Sequence, residues 1–219
     1  MVLSKVTFYM ATSDFSLKNH NVKAFGQDAA LVIEMNNEDV SSSKPSPFSN
    51  EIDNYYLTLH VAPRNAKKDY DWGSNRSVLL KLSTNEVMQM ASVFLRIMHT
   101  LKIDKRKTSH HGHVVYKNIS VTPNERGGLL LSAGIVPVDK DGLKPFMHMV
   151  PVSQMDCVKI GLYILGYLAQ KTPWVSSESI ITALRLSEAK NSKRINIRNT
   201  WKNTGFFKCY TNGYFCFSS

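Results

Sequence analysis

The sequence predicts an α+β protein in which a group of strands followed by a helix occurs twice along the chain. Residues 55–61 alternate between apolar and polar side chains, which is typical of a strand with one buried face. Two capping patterns, Ser83 with Glu86 and Ser153 with Asp156, each precede an apolar run and indicate helix N-termini. Because a half-apolar sheet must be covered by another layer, this order favours sheets packed against helices around one core.

The first predicted strands lie in the N-terminal part of the chain. The stretches Lys5–Leu17 and Ala29–Met35 indicate two strands, and the polar stretch Asn19–Asp28 between them is predicted to be a turn region. The next segment, Asn36–Asn54, is rich in Ser, Asn and Pro and has few aliphatic side chains. We therefore expect a long loop there, without chemistry of its own.

The next two strands lead into the first helix. In Tyr55–Val61 the odd-numbered side chains are apolar, so Tyr56 and His60 are expected on the solvent side of the strand. After a basic loop, Ser77–Leu82 is predicted to be another strand. The helix that follows has an apolar side chain at helical spacing at each of these positions: Val87, Ala91, Phe94, Leu95, Met98 and Leu101.

The second half of the chain repeats the order of strands and then a helix. A polar and basic connection is expected over Lys102–Gly112, and the turn signals at 123–128 and 138–145 separate three predicted strands. These strands are His113–Val121, Leu129–Ile135 and Phe146–Val150. The helix after Ser153 is apolar nearly all round, so we expect another subunit to bury its outward side.

The residues after Trp174 are expected to form a separate extension. Ser177–Ala189 is predicted to be a helix, and a basic stretch with Lys190, Lys193, Arg194 and Arg198 follows it. The aromatic segment Phe206–Phe217 contains Asn212-Gly213, which favours a hairpin turn.

Composition points to a polyanionic partner without identifying it. The 219 residues contain 27 Lys and Arg against 17 Asp and Glu, which gives a net charge of +10 and a pI near 9.5. Such a charge favours nucleic acid as the partner, although a merely soluble basic protein would have it too.

The three cysteines come without a secretory leader, so we expect reduced thiols and no metal or disulfide requirement. The apolar stretch Ile160–Ala169 is too short to span a bilayer, so the protein is expected to be soluble, with no membrane partner.

Several stretches of the chain resemble the Whirly family of single-stranded DNA-binding proteins. The most specific is Ala62-Pro63, then six residues, then Tyr70-Asp71-Trp72. Four others are similar in residue type and order: Leu82-Ser83, Lys117–Pro123 with the Asn124–Gly128 turn, Val150-Pro151-Val152, and Trp174. Together they cover about Phe15 to Trp174. The family's lysine-glycine-lysine-alanine-alanine-leucine motif is represented here only by Ala29-Ala30-Leu31.

The resemblance implies a fold and an assembly. It implies two antiparallel four-stranded sheets, each followed by a helix, over a domain of residues 1–174, while 175–219 is an extension with the additional helix and hairpin. It also implies a cyclic homotetramer with the second helices at its centre. Single-stranded DNA would then lie across the sheets with little sequence preference, as in coating or protecting DNA during replication, repair, recombination or conjugative transfer.

A sheet binds single strands through aromatic rings that stack on bases and through basic side chains that neutralise phosphates. Tyr56 and His60 project from the polar side of their strand, and Lys81 and Lys117 are expected on strands near it. Other candidates lie in or beside loops. The full set of candidate nucleic-acid-binding residues is Lys18, Lys23, Phe25, Tyr56, His60, Lys67, Lys68, Tyr70, Trp72, Arg76, Lys81 and Lys117. For the aromatic residues, packing against the sheet is the alternative interpretation, and for the lysines it is a solvated surface.

Other functions are less well supported by the sequence. His110, His111 and His113 could suggest a metal site, but carboxylate or thiolate partners are not evident, so no metal and no cofactor are expected. No phosphate loop, dinucleotide fingerprint or catalytic triad pattern is present, which argues against an enzyme. RNA binding with the same fold remains an alternative, as does an oligomeric adaptor that recruits a protein partner through the extension. A cytoplasmic bacterial, plasmid or phage setting is expected rather than an organelle, since an Arg-rich transit segment is not recognised.

Overall fold

The computed structural model describes residues 21–37, 54–125, 127–138 and 143–203, with side chains as far as residue 190. The predicted strand Lys5–Leu17, the predicted hairpin Phe206–Phe217, and the cysteines Cys209 and Cys216 lie outside these residues. The remaining cysteine, Cys157, is a buried free thiol, and burial raises its pKa.

Eight strands form two antiparallel four-stranded sheets, and a helix follows each sheet. The first sheet has the order β1-β2-β3-β4 and the second β5-β6-β7-β8, so every strand pairs with its neighbours in sequence. The strands of the first sheet are β1 (Asn21–Phe25), β2 (Ala29–Asn37), β3 (Tyr55–Pro63) and β4 (Val78–Lys81). Those of the second are β5 (Leu101–His110), β6 (His113–Pro123), β7 (Leu129–Pro137) and β8 (Phe146–Val152). The helices are α1 (Thr84–Phe94), α2 (Gln154–Lys171) and α3 (Ser177–Asn203).

Both predicted caps are present. The Ser83 side chain accepts a hydrogen bond from the backbone N–H of Glu86, and the Glu86 carboxylate accepts from the Ser83 N–H at 2.7 Å, which completes a capping box for α1. At α2 the Ser153 hydroxyl oxygen accepts from the backbone N–H of Asp156 at 3.1 Å. Each cap satisfies backbone donors that the first helical turn leaves unpaired.

The core is one continuous cluster between the inner faces of the two sheets and the helices α1 and α2. The inner face of the first sheet includes Leu31, Ile33, Leu57, Leu59 and Leu80, all buried, as the alternation in the sequence predicts. The two helices approach closely at Gly161, where a Cβ would lie 2.8 Å from Leu95 Cδ2. A larger residue there would require the Leu95 side chain to move.

Three sequence predictions about the elements are wrong. The predicted turn region Asn19–Asp28 contains β1, in which Val22 and Ala24 face the core while polar Asn21 and Lys23 face outward. The first helix ends at Phe94 rather than continuing to Leu101, because the N–H groups of Ile97 and Met98 both bond back to the Ser92 carbonyl. That tight turn sends the chain into β5.

The third error concerns the basic connection Lys102–Gly112, which is strand β5 over nearly all its length. β5 is an edge strand and has a bulge between Ile103 and Arg106 that breaks the alternation. The two-residue turn His111-Gly112 joins it to β6, with positive φ angles of 47° and 83° that suit a type I′ hairpin.

The extension differs from the prediction in length. The helix α3 begins at Ser177 as expected but continues to Asn203, beyond the predicted end at Ala189 and through the basic stretch. Ile180 and Leu184 pack against the core, which ties the first turns of α3 to the rest of the molecule. Trp174, just before α3, is largely exposed.

Candidate nucleic-acid interface

The side of the first sheet that points away from the core brings many of the predicted site residues together. We call it the outer face. Strand pairing places Lys23, Val32, His60 and Leu79 in one row across the four strands. Thr58 and Lys81 lie in the next row beside Glu34, and Phe25 is at the opposite end, paired with Ala30. By strand register, the residues on this side are Asn21, Lys23, Phe25, Ala30, Val32, Glu34, Asn36, Tyr56, Thr58, His60, Ala62, Leu79 and Lys81, of which Ala30, Val32, Thr58 and Ala62 are buried.

Aromatic rings extend across this face, and basic groups lie beside them. The Phe25 ring is 60% exposed and lies 5.4 Å from the Tyr70 ring, centroid to centroid. The Lys81 ammonium sits 4.1 Å above the centre of the Tyr56 ring, a cation–π geometry. These rings offer flat apolar surfaces next to positive charge, which is the combination that single-stranded nucleic acid uses.

Between these two pairs, Trp72 packs on His60. Their rings meet edge to face with centroids 5.0 Å apart. Burial lowers the pKa of His60, so the imidazole is neutral at pH 7. Its Nε2 is buried and has no hydrogen-bond partner among the described residues. His60 is therefore half covered by Trp72 rather than fully solvent-facing, which differs from the simple alternation prediction.

A segment of residues 64–77, here the 64–77 loop, folds back onto the first sheet and brings Tyr70 and Trp72 to it. The Tyr70 hydroxyl donates to the Gly26 carbonyl at 2.6 Å, and Arg64 donates to the Gln27 carbonyl at 3.1 Å. The Arg64 guanidinium also lies 5.9 Å from the Tyr70 ring centre. The Tyr70 hydroxyl thus anchors the loop, while its ring supports Phe25. Sequence reasoning did not select Arg64 as a site residue, although its place directly after Ala62-Pro63 was a usable signal.

Lys23 and Lys81 are exposed on this face, and Lys67 and Lys68 are exposed in the 64–77 loop. Arg76 of the same loop is exposed too, with its guanidinium 5.8 Å from the centre of the Phe146 ring on β8. Lys67 and Lys68 lie in a tight turn of the loop, where the Asn65 side chain accepts from the Lys67 N–H at 2.9 Å. The acidic Glu34 lies within the same surface, so the positive charge is concentrated around its margins.

Lys117 does not belong to the outer face, and that prediction is wrong. It lies on the inner side of β6, is only 6% exposed, and donates from Nζ to the Leu79 carbonyl at 2.6 Å. Its neighbours Val115 and Ile119 on the same side of β6 are buried as well. Burial lowers the pKa of Lys117. Lys18 lies outside the described residues.

The histidines near the β5–β6 turn have structural partners. His110 Nε2 donates to the Asn75 carbonyl at 2.7 Å, and His148 Nε2 donates to the Arg76 carbonyl at 2.6 Å. Because a carbonyl can only accept, each imidazole must have its proton on Nε2. In the part of the chain that the structure describes, no group of three His, Cys, Asp or Glu side chains is arranged to hold a metal. None of the described helices is long and apolar enough to cross a membrane.

Acidification should destabilise the fold through His60, His110 and His148. Burial is the main cause that lowers the pKa of His60, His110 and His148 below the usual value of about 6.5. The unfolded chain therefore binds more protons than the folded chain below about pH 6.5, and the free energy of unfolding should decrease as the pH falls from 7 to 5.5. Urea denaturation at the two pH values measures this, and the double variant His110→Gln/His148→Gln should flatten the dependence. Equal dependence in the variant would show that other groups cause it.

Comparison with known proteins identifies the fold. No protein-family model matches the chain, and no curated protein sequence matches it. Among solved structures, that of the plant transcriptional regulator PBF-2 has a TM-score of 0.51 at 19% sequence identity and covers 71% of this chain and 83% of that chain. The structure of WHY3 from Arabidopsis thaliana has a TM-score of 0.51 at 18% identity and covers 69% of this chain and 87% of that chain. Both are Whirly proteins, and at these identities the likeness establishes the architecture. The chain therefore has the Whirly-like fold that its sequence motifs predicted.

Proposed function

We propose that this protein binds single-stranded DNA with little sequence specificity, and that the outer face and the 64–77 loop form the binding surface. The observation that carries the proposal is the juxtaposition of Phe25, Tyr70, Trp72 and Tyr56 with basic side chains on one side of one sheet. Rings can stack on any base, and lysines neutralise any phosphate, so such a surface needs no particular sequence. The protein would coat or protect DNA during replication, repair, recombination or conjugative transfer.

The proposal concerns binding rather than catalysis. The chemistry of the outer face is that of stacking and charge neutralisation, and burial lowers the pKa of His60, whose ring packs against Trp72. The fold that the chain shares with the plant transcriptional regulator PBF-2 agrees with this proposal. We assign the binding activity to a domain of residues 1–174 and regard 175–219 as an extension available to a protein partner.

We further propose that the protein acts as a homotetramer. On the outward side of α2, opposite its buried residues, Met155, Val158 and Leu162 are exposed at helical spacing, and Gly166 continues the same line. An exposed apolar stripe of this kind is typical of an interface with another subunit. A second copy of α2 is the natural complement, because a symmetric oligomer buries identical surfaces against each other.

The salt dependence of binding tests the electrostatic part of this proposal. On a single strand, the logarithm of the affinity falls with the logarithm of salt concentration by about 0.7 per phosphate neutralised. If Lys23, Lys67, Lys68, Arg76 and Lys81 each contact one phosphate, the slope is about 3.5 per subunit engaged. The double variant Lys67→Gln/Lys68→Gln should lower the slope by about 1.4. Lys144→Gln, an exposed lysine near β8, is the control and should leave it unchanged. A wild-type slope near zero would contradict the proposed mechanism.

A further inference from the structure

Three basic side chains reach from the inner face of the second sheet to residues 75–79. This segment comprises the end of the 64–77 loop and the start of β4. His110 donates to the Asn75 carbonyl, His148 to the Arg76 carbonyl and Lys117 to the Leu79 carbonyl, at 2.7, 2.6 and 2.6 Å. The three donors come from β5, β8 and β6, and they are 35, 72 and 38 residues away from their acceptors along the chain. All three side chains are buried. We call this arrangement the three-donor clamp.

The three acceptors lie in a turn and on an edge strand. Asn75 and Arg76 lie in a turn, and β4, which contains Leu79, is the edge strand of its sheet. The three donors are buried, and a buried donor without an acceptor is costly, so these three bonds hold the segment firmly in place. Phe146 fills the space between the donors, with ring centroids 6.3 Å from His110 and 5.3 Å from His148, and the Arg76 guanidinium lies 5.8 Å from its centre.

The clamped segment is directly connected to groups of the outer face. Ser77 donates through its N–H to the Ser74 carbonyl and Ser74 to the Asp71 carbonyl, so successive turns link the clamp to Trp72. On the other side, Leu79 and Lys81 of β4 project onto the outer face. The position of Trp72 over His60 and the position of Lys81 over Tyr56 therefore depend on the same short stretch of backbone.

We propose that His110, Lys117 and His148 are positioning residues that hold the 64–77 loop and β4 ready to bind single-stranded DNA. The inference rests on the proposed function and assigns Lys117 a role that differs from phosphate contact. A surface already fixed in its bound arrangement loses less conformational entropy when the ligand binds, so weakening the clamp lowers affinity although no contact group is removed.

Paired substitutions at His148 test the inference. His148→Leu removes the donor, whereas His148→Gln keeps an N–H at nearly the same distance from the backbone. We expect His148→Leu to raise the dissociation constant for a single-stranded oligonucleotide about fivefold, the worth of one ordinary hydrogen bond, and His148→Gln to restore most of the affinity. The slope of affinity against salt should not change in either variant. Val121→Ala, a buried truncation on the same side of β6, is the control for general destabilisation.

Lys117 gives the second readout, because a positioning role and a phosphate contact predict different salt slopes for the same variant. Lys117→Met should weaken binding with an unchanged salt slope, and Lys117→Arg should restore it. A slope lowered by about 0.7 in Lys117→Met would identify a phosphate contact and overturn the positioning role. Unchanged affinity in folded His148→Leu, or an equal loss in Val121→Ala, would overturn it too.

Hydrogen exchange of the free protein separates this inference from the proposed function. We expect the Ser77 amide to exchange faster in His148→Leu than in the wild type, while amides in the centre of the second sheet keep their protection. Unchanged exchange at Ser77 would contradict the clamp. Failure of the wild-type protein to bind any single-stranded oligonucleotide would instead contradict the proposed function, with the exchange result standing on its own.

Discussion

Replacing both Phe25 and Tyr56 with Ala should weaken binding to single-stranded DNA about thirtyfold or more. These side chains lie at opposite ends of the outer face, on β1 and β3, so they would stack on different bases. Base stacking on an aromatic ring contributes about 1–3 kcal/mol, and the loss of two platforms therefore costs about 2–6 kcal/mol. Fluorescence anisotropy with a labelled oligonucleotide of about 30 nucleotides measures the change.

Leu186→Ala is a suitable control for this double variant. Leu186 lies on α3, away from the outer face, and is 59% exposed, nearly the same as Phe25 at 60%. The control variant therefore loses an apolar side chain of comparable exposure. Its affinity should stay within about twofold of the wild type. If the double variant also binds within that range, the rings are not stacking platforms and the outer face is not the main interface.

Introducing a charge at the outward side of α2 should dissociate the oligomer. Leu162→Glu places a carboxylate in the centre of the apolar stripe formed with Met155 and Val158, and in a symmetric interface each added charge would face its own copies. We expect the mass in solution to fall from that of a tetramer to that of a single chain of 24.7 kDa. Size-exclusion chromatography with light scattering provides the measurement.

Gln89→Glu introduces the same charge at an exposed position of α1 and should leave the mass unchanged. A wild-type protein that is already monomeric would contradict the proposed assembly, as would a Leu162→Glu variant that remains tetrameric. Because the outer face lies on the first sheet, the monomeric variant should still bind DNA, but with the lower affinity expected when several linked sites become one.

Sequence reasoning recovered the elements in which local patterns agree with the fold. The alternation of Tyr55–Val61 marked the central strand β3, and the residues Ser83 and Ser153 marked both helix starts within one residue. It failed at β5, where Lys and Arg occupy an edge strand and a bulge after Ile103 interrupts the alternation. A solvent-facing edge needs few apolar residues, so its sequence looks like a loop.

The candidate site was predicted in part for similar reasons. Alternation placed Tyr56 on the outward side of β3, and the resemblance singled out Trp72, which the structure brings to the same surface. The error at Lys117 was avoidable, because Val115, Ile119 and Val121 mark its side of β6 as the apolar one. The contacts of His110 and His148 join positions far apart in sequence, and no local pattern could have revealed them.

Comparison of single-stranded with duplex DNA tests the central claim most directly. In a duplex the bases are stacked on each other and their faces cannot reach Phe25, Tyr56 or Trp72, whereas phosphates are available in both forms. At equal salt, a competition gel shift with oligonucleotides of about 30 nucleotides should therefore show a preference for the single strand of about thirtyfold or more. An RNA competitor of the same sequence distinguishes DNA from RNA as the preferred ligand. Equal affinity for single-stranded and duplex DNA, or no binding to either, would contradict the claim that the outer face binds single-stranded DNA.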